Sequence, residues 1–422
     1  MSLEGNIKLE EVSNGQSLLS KHELGFNYVL YGFSNAAIFL TNAVIALRYP
    51  LGVFGAFAVV IGYAQIASAF STLGLGFTAV RYIPSNREYA RFFRLRGALL
   101  IAIASVAAIL LGFVTMPVVG IPEEFYPTVF VTFPMAFISY GANFAKANER
   151  PLLSNATIGS GYYAICGYES LQFLLGVSPN AQILIIETMT SFALGLAIAF
   201  ALLVRLGTYK SSGILDPRQL TRDTASFLGI NGSMVFSQQF GVIAIGMIQA
   251  LEASAVLRIL TILSMPFTGL VAAYSSIMTP RFKSRNIHYR KLVPQVAALA
   301  ILSAAGYLAF SQVAPFILGV EPGVENVLLY CVIVAANSIV LPSIILTYSA
   351  KLGTQSIALT IVNLLIFPLL ILSLGTTLQL VGVVMAMVAA SVIRLLVESY
   401  LALRTLREEA WFLNEDGGQT YG

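Results

Sequence analysis

The chain has 422 residues, of which 57% are hydrophobic and only 10% charged, and its formal net charge is +4. A soluble domain carries about a quarter charged residues, so this composition, with a mean hydropathy of +0.81, excludes a soluble globular class. The apolar runs are long and unbroken rather than alternating, which excludes a β-barrel and leaves an all-α polytopic membrane protein.

The chain opens on a polar, mixed-charge stretch, 1–24, without a short apolar core and cleavage site, so the first apolar run is expected to stay in the mature protein. Twelve apolar runs follow, over 25–47, 54–78, 97–119, 126–146, 152–176, 181–204, 224–248, 253–279, 292–318, 326–349, 354–375 and 378–403. The longest connection, LGTYKSSGILDPRQLTRD, divides the chain near its middle. The expected organisation is a cytoplasmic N-terminal segment at 1–24, an N-lobe at 25–205, a cytoplasmic linker at 206–223, a C-lobe at 224–403 and a cytoplasmic tail at 404–422.

Basic residues orient the chain, because Lys and Arg are retained on the cytoplasmic side. All but three of the 24 basic residues fall in the tails, the central loop and the other even-numbered loops. The second loop alone carries Arg81, Arg87, Arg91, Arg94 and Arg96. The odd-numbered loops carry acids, namely Glu123, Glu124, Glu321 and Glu325. Both termini are therefore expected in the cytoplasm. The loop RYIPSNREYARFFRLR reads as an amphipathic elbow on anionic lipid. Its Arg81 and Arg91 are also candidates for a cytoplasmic intake funnel.

Sliding the halves by about 200 residues brings out a repeat. GFSNAAIFLTN, from Gly32, faces GINGSMVFSQQ, from Gly229, so that Thr41–Asn42 falls on Gln238–Gln239. The turn GIPEEF faces GVEPGV, and Ala145–Lys146 matches Ala350–Lys351. Two six-helix halves in the same orientation would be related by an axis along the membrane normal, with a cavity between them.

The charges within the runs or at their mouths are the candidate site residues, because a charge at bilayer depth costs about 2.5–3.5 kcal/mol on insertion scales. Arg258 and Arg48 are expected to face the cavity and hold an anionic headgroup, since Arg pairs bidentately with phosphate. Asn42 and Gln239 join them as polar cavity residues. Glu169 and Glu187 either neutralise an Arg or couple transport to protons. Arg394 and Glu398, four apart on one helix, are expected to pair with each other. Tyr140, Tyr162 and Tyr163 are candidates for stacking on sugar rings. Cys166 and Cys331 read as small apolar residues, and His22 and His288 lie apart in polar segments, so no metal site is expected.

The succession ALRYPLGVFGAFAVVIGYAQIASAFSTLGLGFTAVRY resembles the first hairpin of Wzx-type O-antigen and capsule flippases of the multidrug/oligosaccharidyl-lipid/polysaccharide superfamily. The residues that carry the likeness are Arg48, Leu51-Gly52, Phe54-Gly55, Leu73-Gly74-Leu75-Gly76 and Arg81, with SIMTPRFKS closing the eighth run. Relatives often carry an acid near the middle of the seventh helix, where this chain has Gln238 and Gln239. The resemblance implies a V-shaped transporter of twelve helices in two lobes, not an enzyme, working by alternating access in the bacterial inner membrane. Its cargo would be an undecaprenyl-diphosphate-linked oligosaccharide for O-antigen, capsule or exopolysaccharide assembly. The implied partners are that lipid-linked oligosaccharide, membrane lipids, a polysaccharide polymerase and a chain-length regulator. No nucleic acid and no cofactor are expected, coupling to an H+ or Na+ gradient is open, and the chain is expected to act as a monomer.

Two other readings come from the residues. A cation-coupled multidrug exporter would need an acid-lined cavity, whereas the first helix offers Arg48. A membrane polysaccharide polymerase or acyltransferase would need a large periplasmic loop or a loop Arg/His/Asp cluster.

Overall fold

The computed structural model describes residues 21–84, 89–148, 150–206, 217–283, 289–347 and 352–415. Arg87, Lys210, His288, Lys351 and most of the expected linker lie outside them. The apolar runs are helical over most of their described residues. Nine helical segments among the described residues are long and apolar enough to cross a membrane, and the last of them, Gly353–Arg407, contains two passes.

The first hairpin consists of α1 (Lys21–Arg48) and α2 (Leu51–Ser71), joined at Tyr49-Pro50. The second run breaks earlier than its apolar pattern suggests. Leu73 and Gly74 both take positive φ, and the chain restarts as α3 (Leu75–Tyr82). Gly74 permits this at low cost because it lacks a Cβ. The N-lobe continues through α4 (Tyr89–Val119) and α5 (Glu123–Ala147). The polar fifth run divides at Gly159 into α6 (Pro151–Ile158) and α7 (Ser160–Leu174), and α8 (Ala181–Leu206) completes the lobe.

The C-lobe begins with the long pair α9 (Pro217–Ile248) and α10 (Leu251–Lys283). It continues with α11 (Tyr289–Leu318), α12 (Val324–Ser338) and α13 (Leu341–Thr347). The next pass, α14 (Leu352–Ile361), runs on through two π-helical turns, Val362–Ile366 and Ile371–Gly375. The chain then reverses at Gln379, whose φ is 54°, inside α15 (Thr376–Glu415).

The seam between the lobes is built from the first hairpin and its repeat partner. Helix α2 packs along both α9 and α10, and α1 packs on α10. Two glycines make the closest approaches. A Cβ built on Gly55 would lie 1.8 Å from the Leu251 carbonyl oxygen, and one on Gly74 would lie 2.3 Å from that of Thr224. These positions sit at opposite ends of the second pass, so the lobes meet backbone to backbone at both. The outer flank of α4 carries exposed Leu99, Ile103, Val106, Leu110 and Val114, as a lipid-facing helix should.

Candidate functional site

Arg258 lies two turns into α10, about 10 Å from its start at 1.5 Å per residue. It is fully buried. Its Nε donates to Asn42 Oδ1 at 3.1 Å, and its Nη1 donates to Gln239 Oε1 at 3.1 Å. Its Nη2 is buried without a hydrogen-bond partner. The titratable groups that act on it are two phenols, Tyr162 from the N-lobe and Tyr330 from the C-lobe, and no carboxylate among the described residues.

The three polar residues of this cluster come from both halves. The slide that matches Gly32 with Gly229 also matches Asn42 with Gln239. Repeat-related amides from α1 and α9 therefore grip one guanidinium from opposite sides. The arginine breaks the symmetry, since the same slide sets Ile61 opposite it. Asn42 is almost completely buried, and its amide nitrogen donates to the Ile38 carbonyl at 2.7 Å, which leaves its oxygen aimed at Arg258. Arg258 was expected to face an open cavity. Instead the two amides and the packed seam close over it.

Arg48 occupies a different place. It was expected in the same cavity as Arg258, but it turns into the N-lobe and forms an ion pair with Glu169 of α7. Its Nη2 also donates to Gln172 Oε1 at 3.0 Å and to the Val177 carbonyl at 3.2 Å. Tyr49 donates to the second oxygen of Glu169 at 3.2 Å. Gln172 in turn donates to Glu187 Oε1, and Glu187 Oε2 is buried with no partner. Gln172 thus links the Arg48–Glu169 ion pair to the second carboxylate, Glu187.

The expected pair Arg394–Glu398 does not form. Arg394 donates to Asn337 Oδ1 at 2.7 Å, and Glu398 accepts from Ser343 at 2.8 Å. Both partners flank the break between α12 and α13, and both reach across to α15. Spacing on one helix allowed a pair, but the neighbouring helix offered better-aimed groups.

At the other end of the seam, the exposed Arg81 meets the buried Asp223 at 3.3 Å. Tyr82 donates to the same carboxylate oxygen at 3.1 Å. Burial, and then the Asp223 contact, push the Tyr82 phenol up to about 12. Arg91 is exposed. The candidate stacking tyrosines are engaged in the protein. Tyr140 is buried and donates to the Phe93 carbonyl at 2.6 Å, Tyr163 bonds Ser34 at 2.7 Å, and Tyr162 accepts from Gln65 at 3.0 Å.

No group of three or more potential metal ligands occurs among the described residues. Sequence reasoning missed Asn337 and Asn363, each buried or half-buried among C-lobe helices. Asparagine inside an apolar run was the available signal, since an amide in such a place needs a partner.

No family model matches the chain, and no curated protein matches it significantly. Solved structures do. The eukaryotic MATE transporter AtDTX14 aligns with a TM-score of 0.59 at 13% identity, covering 90% of this chain and 94% of that one. A MATE transporter solved in complex with MaL6 aligns at 0.58 and 15% identity, covering 91% and 96%. A MOP superfamily transporter from Pyrococcus furiosus aligns at 0.52 and 16% identity, covering 90% and 94%. That protein is described as having a binding pocket of reverse polarity, which suggests a different function. At these identities the likeness establishes the fold alone: an all-helical, two-lobed architecture like that of these solved structures.

Proposed function

We propose that this chain is a flippase for an anionic lipid-linked oligosaccharide, of the undecaprenyl-diphosphate type, moving it from the cytoplasmic to the periplasmic leaflet by alternating access. The observation that carries the reading is Arg258. It is a fully buried guanidinium at the seam between lobes, held by two neutral amides and met by no carboxylate among the described residues. A buried charge without a counter-charge is costly. A transporter can keep such a charge if its cargo supplies the anion when the seam opens. The diphosphate is that anion in this reading, and the unpartnered Nη2 is the donor waiting for it.

Coupling is assigned to the Glu169–Glu187 pair in the N-lobe. Gln172 joins the Arg48–Glu169 ion pair to Glu187, so the two acids belong to one connected polar network within the lobe. Arg81 and Arg91 would gather the headgroup at the cytoplasmic mouth, with a bacterial inner-membrane location and cytoplasmic termini following from the basic loops.

A second reading, a cation-coupled multidrug exporter, has the same fold and draws support from the MATE transporters among its solved neighbours. Its cationic cargo would have to approach Arg258 against like charge. The two readings part in one experiment. In a strain lacking its O-antigen or capsule flippase, this chain should restore surface glycan, and Arg258→Ala should not, although it reaches the membrane in equal amount. Restored drug resistance without restored glycan would overturn the flippase reading in favour of the exporter.

A further inference from the structure

A polar cavity of about 170 Å3 lies inside the C-lobe, among α9, α10, α12, the π-turn region after α14, and α15. It is distinct from the Arg258 clamp, although Gln239 belongs to both. Its hydrogen-bonding groups are neutral, among them Gln238, Thr261, Thr268, Asn337, Asn363 and Ser391. One charge lines it, Arg394, and no carboxylate does. The lining therefore offers a cation no carboxylate ligand.

Two features point to an occupant of defined chemistry. Arg394 spends Nη2 on Asn337 Oδ1, and its Nε is buried with no partner. The same contact fixes Asn337 so that its amide N–H groups remain to be used. An anion there would meet a guanidinium and an amide together. The other walls supply hydroxyls and amides beside Tyr330 and Phe367. Size narrows the choice further. Water occupies about 30 Å3 in the liquid, so the space takes a group of several heavy atoms rather than one bare halide. It is also smaller than the roughly 300 Å3 lower bound of a drug-sized pocket. Gln238, at the edge of the cavity, is exposed.

We propose that this C-lobe cavity binds a carboxylate-bearing sugar residue, with Arg394 and Asn337 holding the carboxylate and the neutral side chains of α10 and α15 holding ring hydroxyls. The inference deepens the flippase reading and rests on it for its biological meaning: it selects, within lipid-linked oligosaccharides, those that contain an acidic sugar.

The test is binding of sodium glucuronate to the purified full-length protein in lipid nanodiscs, read by thermal stabilisation, with glucose and inorganic phosphate as comparators. Glucuronate should stabilise the protein more than either comparator. Arg394→Gln and Ser391→Leu, the latter filling the cavity, should each weaken its apparent affinity at least tenfold. If Arg394→Gln does not fold, Ser391→Leu decides alone. Equal stabilisation by phosphate, no stabilisation by glucuronate, or an affinity unchanged in the folded variants overturns the assignment. If Arg258→Gln loses glucuronate binding while Arg394→Gln keeps it, the ligand sits at the seam and this site falls. Normal loss of export in Arg258→Ala, with no glucuronate binding in the parent, leaves the flippase reading standing and removes only this one.

Discussion

Arg48, at the end of α1, and Arg258, two turns into α10, are both buried guanidinium groups, and their surroundings are opposite. Arg48 sits beside Glu169 with Gln172, Tyr49 and a backbone carbonyl around it. Arg258 has two neutral oxygens and a nitrogen left over. The first environment completes a charge within one lobe. The second leaves a charge incomplete at the junction of two lobes, where a ligand can complete it. Burial of an arginine therefore says little about its role; what neutralises it says much more.

The contrast can be broken from the Arg48 side first, where the largest effect is expected. Glu169→Ala leaves Arg48 buried without its counter-ion and should cost about 3–5 kcal/mol of stability, measured by denaturation in detergent. The double variant Arg48→Met/Glu169→Leu should recover most of that loss. A single variant as stable as the parent would mean that the pair is not structural.

On the Arg258 side the signs differ. Arg258→Gln removes an uncompensated buried charge, so its melting temperature should stay level or rise. Glycan export should nevertheless fall about 10- to 100-fold, the equivalent of the roughly 1.5–3 kcal/mol carried by hydrogen bonds to a charged group. A variant as unstable as Glu169→Ala would erase the distinction between the two arginines.

Asn42→Asp sharpens the comparison by making Arg258 resemble Arg48. The new carboxylate would stand where Asn42 Oδ1 now lies 3.1 Å from Nε. A charge-assisted bond is roughly twice as strong as a neutral one, so a gain of about 1 kcal/mol is expected. The melting temperature should rise and export should stop, because the resident anion competes with the cargo. Export at the parent level would argue that Arg258 does not meet the anion.

The smallest effect belongs to the far end of the seam. Tyr82→Phe removes one bond to Asp223 and should cost about 1 kcal/mol. With the folded phenol pushed up to about 12, that contribution is fully present below the ordinary value near 10. It fades only as pH rises through the folded value, so the difference between parent and variant should be flat from pH 6 to 9. A difference that changed across that window would place the titrating group elsewhere.

The helices were legible because a spanning segment must satisfy its own backbone, and that demand writes a long apolar run into the chain. The pairing of Asn42 with Gln239 was legible through the repeat, which set them at corresponding positions before any contact was known. What they hold was less so. Nothing in the local pattern tells that Arg258 is enclosed, since Gln239 comes from the preceding helix and Asn42 from a helix 216 residues away in sequence. The Arg394–Glu398 expectation went astray for a related reason. The four-residue rule looks along one helix, whereas Asn337 and Ser343 approach from another. The C-lobe cavity was invisible because its polar residues are shared among five passes, one to three from each.

The glycines of the seam bear on how such lobes could part. Where side chains interlock across an interface, sliding is resisted by teeth that must unmesh and rotamers that must be reset. At Gly55 against Leu251 and at Gly74 against Thr224 there are no teeth, only peptide surfaces in contact. Such a bearing is smooth, so its two ends can release and re-seat in turn with little friction, and the resistance to motion is concentrated in the polar latch around Arg258 between them. A bulkier residue at either glycine would act as a wedge, holding one end of the bearing apart while the latch itself remained chemically intact.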